Sequence, residues 1–173
     1  MVGTHRKHRS YGVASGLLLA LLGLWGALIP FIGPYFHYAY TPDTTWTYNT
    51  ARLWLEILPG AATFLSGILL IATAGRILGI FSTLLGAAAG AWFALGTVFS
   101  PVWNHSVPLG GTPTAATTTM RVAEQIGFFT GLGIVIVFFA ALALGRFLSV
   151  PAVVAEPANT VPVEPEPTQP VST

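Results

Sequence analysis

Residues 123–148 read AEQIGFFTGLGIVIVFFAALALGRFL, and this stretch decides the class of fold. It opens on one carboxylate, Glu124, and nears its close on one guanidinium, Arg146; everything between them is uncharged and mostly apolar. A helix needs about 20 such residues to cross the hydrocarbon of a bilayer. The run is continuous rather than alternating, which fits a membrane helix and not a barrel strand.

Outward from this stretch, residues 77–99, 55–74 and 11–32 repeat the pattern. The second span carries Glu56 near its start, and the first and third carry no charge. Only Gly75 and Arg76 part spans two and three, so these form a tight helical hairpin, with Gly75 expected to close it in the left-handed conformation. The polar loops 33–54 and 100–122 then fall on one side, here called outer. The expected fold is all-α: a polytopic membrane protein whose four transmembrane helices make two tandem helical hairpins.

Composition agrees. Of 173 residues, 53% are hydrophobic and 8% charged, against about 25% charged in soluble domains. Seven Lys+Arg and six Asp+Glu cannot coat a protein of this size in water, so lipid must be the solvent for most of its surface. A net charge of +1 gives no pull toward nucleic acid. The absence of cysteine excludes disulfides, thiolate metal sites and cysteine nucleophiles.

The ends differ from the middle. Residues 1–10 are a basic N-terminus in which Arg6, Lys7, His8 and Arg9 precede the first apolar run, as in a signal peptide. That run is too long, however, holds Trp25 and Pro30, and lacks a small-x-small cleavage site, so it reads as an uncleaved span. Residues 150–173 are rich in Pro, carry Glu156, Glu164 and Glu166 without a basic residue, and are expected to be disordered. Five basic residues (Arg6, Lys7, Arg9, Arg76, Arg146) share one side and two (Arg52, Arg121) the other. The excess of positive charge places both termini in the cytoplasm, in a bacterial-type plasma membrane.

Span three repeats span one. At an offset of 67, Gly90 falls on Gly23, Trp92 on Trp25, Ala94 on Ala27 and Pro101 on Pro34. The following helices correspond as well: Arg52 leads into Glu56 as Arg121 leads into Glu124, and Pro34 to Glu56 is 22 residues where Pro101 to Glu124 is 23. Two spans per unit give both copies one orientation, a parallel repeat about the membrane normal. The G-x-W pattern, together with Ser100-Pro101-Val102-Trp103, resembles the bacterial SPW-repeat membrane proteins, in which a two-span unit occurs twice. Val102 separates Pro101 from Trp103 here, and in the first unit no Trp follows Pro30 or Pro34. The resemblance covers the four spans without the tail and implies an architecture but no defined activity.

Few residues invite chemistry. Glu56 and Glu124 are ionisable groups at a membrane boundary, where such groups are costly and often functional. They could form a cation or proton site from equivalent positions of the two units. Alternatively, each is stabilised by its helix dipole and by an arginine at salt-bridge spacing, Arg52 or Arg121. His37 and His105 lie just past the repeat prolines and could contribute to a metal site, but no H-E-x-x-H or i, i+4 pair supports one. Tyr35, Phe36, Tyr38, Tyr40, Trp46, Tyr48, Trp54 and Trp103 suit an interfacial belt. The first outer loop, dense in Thr, Asp and Tyr, suits an ordered cap. Gly86 with Gly90, and Gly127 with Gly131, make G-x-x-x-G patterns for close helix packing or dimerisation. Pro30 and Pro59 are placed to kink the outer ends of their helices and open a cleft.

No nucleophile elbow, P-loop or dinucleotide fingerprint appears, and no ionisable residue lies mid-span. The expected role is non-enzymatic and without cofactor: an accessory or scaffold protein that associates with a membrane-protein partner or with itself. The alternative is a small channel or transporter with its path at the repeat interface near Glu56 and Glu124. A redox role through His37 and His105 comes third.

Overall fold

The computed structural model describes residues 7–41, 43–73, 75–102 and 111–149, with side chains from Val13 onward. The N-terminal Arg6, the loop residues Trp103 and His105 and the tail 150–173 lie outside the described residues. Four helices carry the fold: α1 (Lys7–Ile32), α2 (Thr50–Ala72), α3 (Arg76–Phe99) and α4 (Thr118–Leu148). All four contain a segment long and apolar enough to cross a membrane, the shortest being 23 residues. At about 1.5 Å per residue, that length exceeds the roughly 30 Å of hydrocarbon. The chain is therefore a multi-pass, all-α membrane protein.

The bundle is closed in a ring: α1 packs on α2, α2 on α3, α3 on α4 and α4 back on α1. Its surface is inverted relative to a water-soluble protein. Leu21, Phe81, Leu84, Ile134 and Phe138 are exposed, while Thr63, Ser66, Ser82 and Thr83 are fully buried. An apolar surface of that extent is tolerated in lipid and not in water.

Small residues set the helix spacing. Gly23 and Ala27 of α1 meet Gly60 of α2, and a Cβ on Gly23 would land on the backbone of Phe64. Gly90 and Ala94 of α3 meet Gly133 of α4 in the same manner. Gly86 faces Ser66 and Ala140, while Gly127 lies under the Tyr38 hydroxyl and Gly131 against Ile126 of its own helix. All four G-x-x-x-G glycines are thus in contact within the chain. Between α2 and α3, the Ser66 hydroxyl donates to the Ser82 carbonyl at 2.7 Å and the Ser82 hydroxyl donates to the Ser66 carbonyl at 2.6 Å. Hydrocarbon offers no competing partner for either hydroxyl.

Three expectations need correction. Gly75 is not left-handed: it is extended (φ −91°, ψ 137°), because its N–H bonds the Thr73 hydroxyl at 3.1 Å and the turn closes through that side chain. Helices α2 and α4 start at Thr50 and Thr118 rather than at 55 and 123, because Asn49 and Thr117 cap them, accepting from Arg52 N at 2.8 Å and Met120 N at 3.3 Å. Neither helix is regular. A π-helical turn occupies Leu53–Ile57, and α4 breaks at Phe129 (φ −126°, ψ −82°) into Thr118–Phe128 and Thr130–Leu148. At 31 residues α4 is longer than the hydrocarbon is thick, so its polar first segment rises beyond the apolar zone.

Adding a methyl group at Gly23 therefore pushes two backbones apart. Gly23→Ala is expected to cost about 1–3 kcal/mol, read as a lower unfolding midpoint in detergent. Gly145→Ala, where nothing among the described residues lies within 4 Å, is expected to leave the midpoint unchanged or raise it.

Candidate functional site

The polar residues gather at the outer end, where the two loops meet. Tyr40 and Pro113 form an antiparallel bridge. Thr41 N donates to Thr112 O at 3.0 Å, and Thr114 N donates to Ala39 O at 3.1 Å. The Thr41 hydroxyl accepts from Thr112 N at 3.0 Å, and the Thr114 hydroxyl donates to Ala39 O at 2.9 Å. The threonines that mark these loops in the sequence thus hold one loop to the other as an ordered cap.

Glu124 clips the cap to the bundle. It is the seventh residue of α4 and is fully buried. Its Oε1 accepts from Ala39 N at 3.1 Å in the first loop, and its Oε2 accepts from Ala115 N at 3.1 Å in the second. Hydrogen bonds to a carboxylate are stronger than neutral ones. Arg121, expected to pair with it, instead donates from Nε to the Ala115 carbonyl at 2.7 Å, fixing the same loop from outside.

Glu56 occupies the corresponding place, the seventh residue of α2, within the π-helical turn. It is 2% exposed, and its Oε2 has no hydrogen-bond partner among the described residues. Arg52, one turn earlier, is also buried and acts electrostatically on this carboxylate. Its guanidinium donates to Thr47 O at 2.8 Å and to Tyr40 O at 3.5 Å. The two carboxylates are equivalent in position but not in chemistry.

Two tryptophans complete the arrangement. Trp25 Nε1 of α1 donates to Gly127 O of α4 at 3.4 Å, and Trp92 Nε1 of α3 donates to Trp54 O of α2 at 2.8 Å. Both acceptors lie at the irregular turns, where a shifted ladder alters the usual pairing of carbonyls. Sequence reading singled out Trp25 and Trp92 as repeat markers but missed this role. The signal was available, since an indole N–H in a lipid-facing helix needs an acceptor.

Comparison with family models, with curated proteins and with solved structures finds no match. The remaining candidates are placed by geometry alone. His37 is exposed and left-handed (φ 56°), closing the short turn Gly33–Phe36 by donating its N–H to Pro34 O at 3.4 Å. Tyr35, Phe36, Trp46, Tyr48 and Trp54 are exposed as a belt requires. Tyr38 and Tyr40 are not belt residues. Tyr40 is buried against Phe128 and Phe129 with ring centroids 5.0 and 5.1 Å away, and Tyr38 stacks on Phe128 at 5.2 Å while its hydroxyl donates to Ala123 O at 2.8 Å. Burial first, and the Glu124 carboxylate second, raise both phenols above their ordinary range, Tyr40 to about 12. Pro30 is fully buried within α1, and Pro59, buried in α2, lines a groove between α2 and α3.

Two outcomes follow from this geometry. Glu124→Leu leaves the Ala39 and Ala115 N–H groups without their acceptor, at about 1–3 kcal/mol each, whereas Glu124→Gln keeps one acceptor oxygen. Amide exchange at those two positions is expected to accelerate most in Glu124→Leu and less in Glu124→Gln; unchanged protection would refute the clip. Tyr40 stays neutral when folded but ionises near its ordinary value of 10 when unfolded, so its contribution is complete below about pH 10 and is lost as pH rises through about 12. In an alkaline absorbance titration, Tyr40→Phe is expected to remove the latest phenolate step.

Proposed function

We propose that this chain is a non-enzymatic accessory or scaffold protein of a bacterial-type plasma membrane, with both termini cytoplasmic. In this reading it presents its clipped outer cap to a membrane-protein partner or to further copies of itself. The observation that carries it is the use made of the polar groups. Glu124, Arg121, Thr41, Thr112 and Thr114 all bond loop to loop or loop to helix. Below them Leu19, Phe93, Phe128 and Ile136 fill the bundle at 1% exposure or less, where a conduit would run.

Duplication of a helical hairpin, on the plan of the SPW-repeat proteins, is part of the proposal. It is supported by paired geometry. Each repeat proline, Pro34 or Pro101, is the second residue of a short 3-10 turn. The indole of each repeat tryptophan bonds a helix of the other hairpin. Gly23 with Ala27 against Gly60 recurs as Gly90 with Ala94 against Gly133. The inner position of the termini is supported by Arg146, whose guanidinium reaches the Ser15 hydroxyl at 3.0 Å and so brings the end of α4 to the start of α1.

The channel or transporter reading keeps one specific observation in its favour, the Oε2 of buried Glu56, which has no hydrogen-bond partner among the described residues. The two readings part experimentally. Purification from native membranes in mild detergent is expected to yield a stoichiometric complex with a larger membrane protein or a defined homo-oligomer. Proteoliposomes of the purified chain are expected to pass no monovalent cation or proton above protein-free vesicles. Flux that disappears in Glu56→Gln while the fold persists would replace the scaffold reading with the transporter.

A further inference from the structure

Where α2 faces α3, the seam between the hairpins opens toward lipid on its outer half as a groove of about 300 Å³. Trp54, Leu58 and Ala62 of α2 and Leu85, Ala88 and Trp92 of α3 line it. Its lining is apolar almost throughout. The indole N–H of Trp92 is engaged by the Trp54 carbonyl at 2.8 Å, so neither group is open to an occupant. Deeper along the same seam the reciprocal Ser66–Ser82 hydrogen bonds draw the helices together, and the groove lies outward of that staple.

Dimensions select the occupant. From Trp54 to Ala62 is eight residues of helix, or about 12 Å along the axis. One leaflet of hydrocarbon is about 15 Å deep, half of a core of roughly 30 Å. A helix of a second copy would continue past the inner end of the groove, where the Ser66–Ser82 pair holds α2 and α3 together, whereas a single acyl chain fits within it. Among the described residues its lining offers no polar group that could hold a head group or a hydrophilic ligand. We propose that it is a binding site for one acyl chain of a phospholipid from the outer-side leaflet. The seated chain completes the seam between the hairpins above the level where the serines close it. This inference rests on the membrane reading of the chain and not on the scaffold role.

The test uses the full chain purified in mild detergent, washed extensively, and assayed for phospholipid phosphorus per protein. Ala88→Phe and Ala62→Phe put a ring into the groove from either helix, and Ala88 is exposed, so the larger side chain there does not enter the core. Ile134→Phe, at a 59% exposed position on α4, is the control. The wild type and the control are expected to retain phospholipid in stoichiometric amount, and both groove variants to lose it several-fold while keeping helical content and unfolding midpoint. Equal retention in all four proteins, or none in the wild type, would overturn the site. So would a wild-type dimer that Ala88→Phe turns into monomers, because the groove would then belong to a second copy. Failure to insert into phosphatidylcholine vesicles would instead overturn the membrane reading itself.

Discussion

Hydrocarbon supplies no hydrogen bonds, and the architecture follows from that constraint. Regular helices satisfy it along most of the chain. Where regularity fails, at the π-helical turn of α2 and the break in α4, an indole from the other hairpin donates to a nearby carbonyl, Trp92 to Trp54 and Trp25 to Gly127. Where hydroxyls must be buried, they bond helix carbonyls, as in the Ser66–Ser82 pair and in Thr63, whose hydroxyl donates to Pro59 O at 2.8 Å. Close packing supplies the remaining cohesion, because lipid gives apolar side chains no reason to prefer each other to solvent. That is why glycine and alanine, rather than leucine, occupy the contacts between α1 and α2 and between α3 and α4.

The same constraint governs the outer end, where backbone leaves the helices. Two loops that stayed separate would each present unpaired N–H groups at the edge of the apolar zone. Pairing residues 39–41 with 112–114 satisfies several, and Glu124 satisfies two more from below. Glu56 stands at the matching position of the first hairpin without an equivalent task for its Oε2. Glu124 serves as a structural clip, while Oε2 of Glu56 has no hydrogen-bond partner among the described residues, so matching places in the sequence do not make one kind of site.

Much of the fold is legible in the sequence because each span is a long apolar run with few charges, and lipid exposure requires that pattern. The hairpin contacts are only partly legible: Gly90 packs against Gly133, but Gly127 meets the Tyr38 hydroxyl and Gly131 its own helix, while Gly23, Gly60 and Gly133 make contacts that the G-x-x-x-G spacing does not mark. Helix starts were misplaced by five residues at both Thr50 and Thr118, because polar first turns look like loop in a hydropathy reading. The caps Asn49 and Thr117 held the correct signal. The site was harder to read. Salt-bridge spacing suggested Arg121 for Glu124, but the carboxylate bonds backbone N–H groups instead, at Ala39 in the other outer loop and at Ala115 in its own. Backbone donors carry no residue signature, so no composition or spacing rule could have found them. Tyr40 likewise looked interfacial, and only the approach of Phe128 and Phe129 turns it inward.

Two outer loops are clipped together over a four-helix bundle. The chain has no cysteine, so a pair can be introduced cleanly. The hydroxyls of Thr41 and Thr112 lie 3.5 Å apart. In intact membranes, mild oxidation of the Thr41→Cys, Thr112→Cys double variant is expected to give an intramolecular disulfide in nearly every chain, with neither single variant doing so. Failure of the double variant to cross-link, with both thiols still reacting freely with a membrane-impermeant maleimide, would contradict the clipped cap.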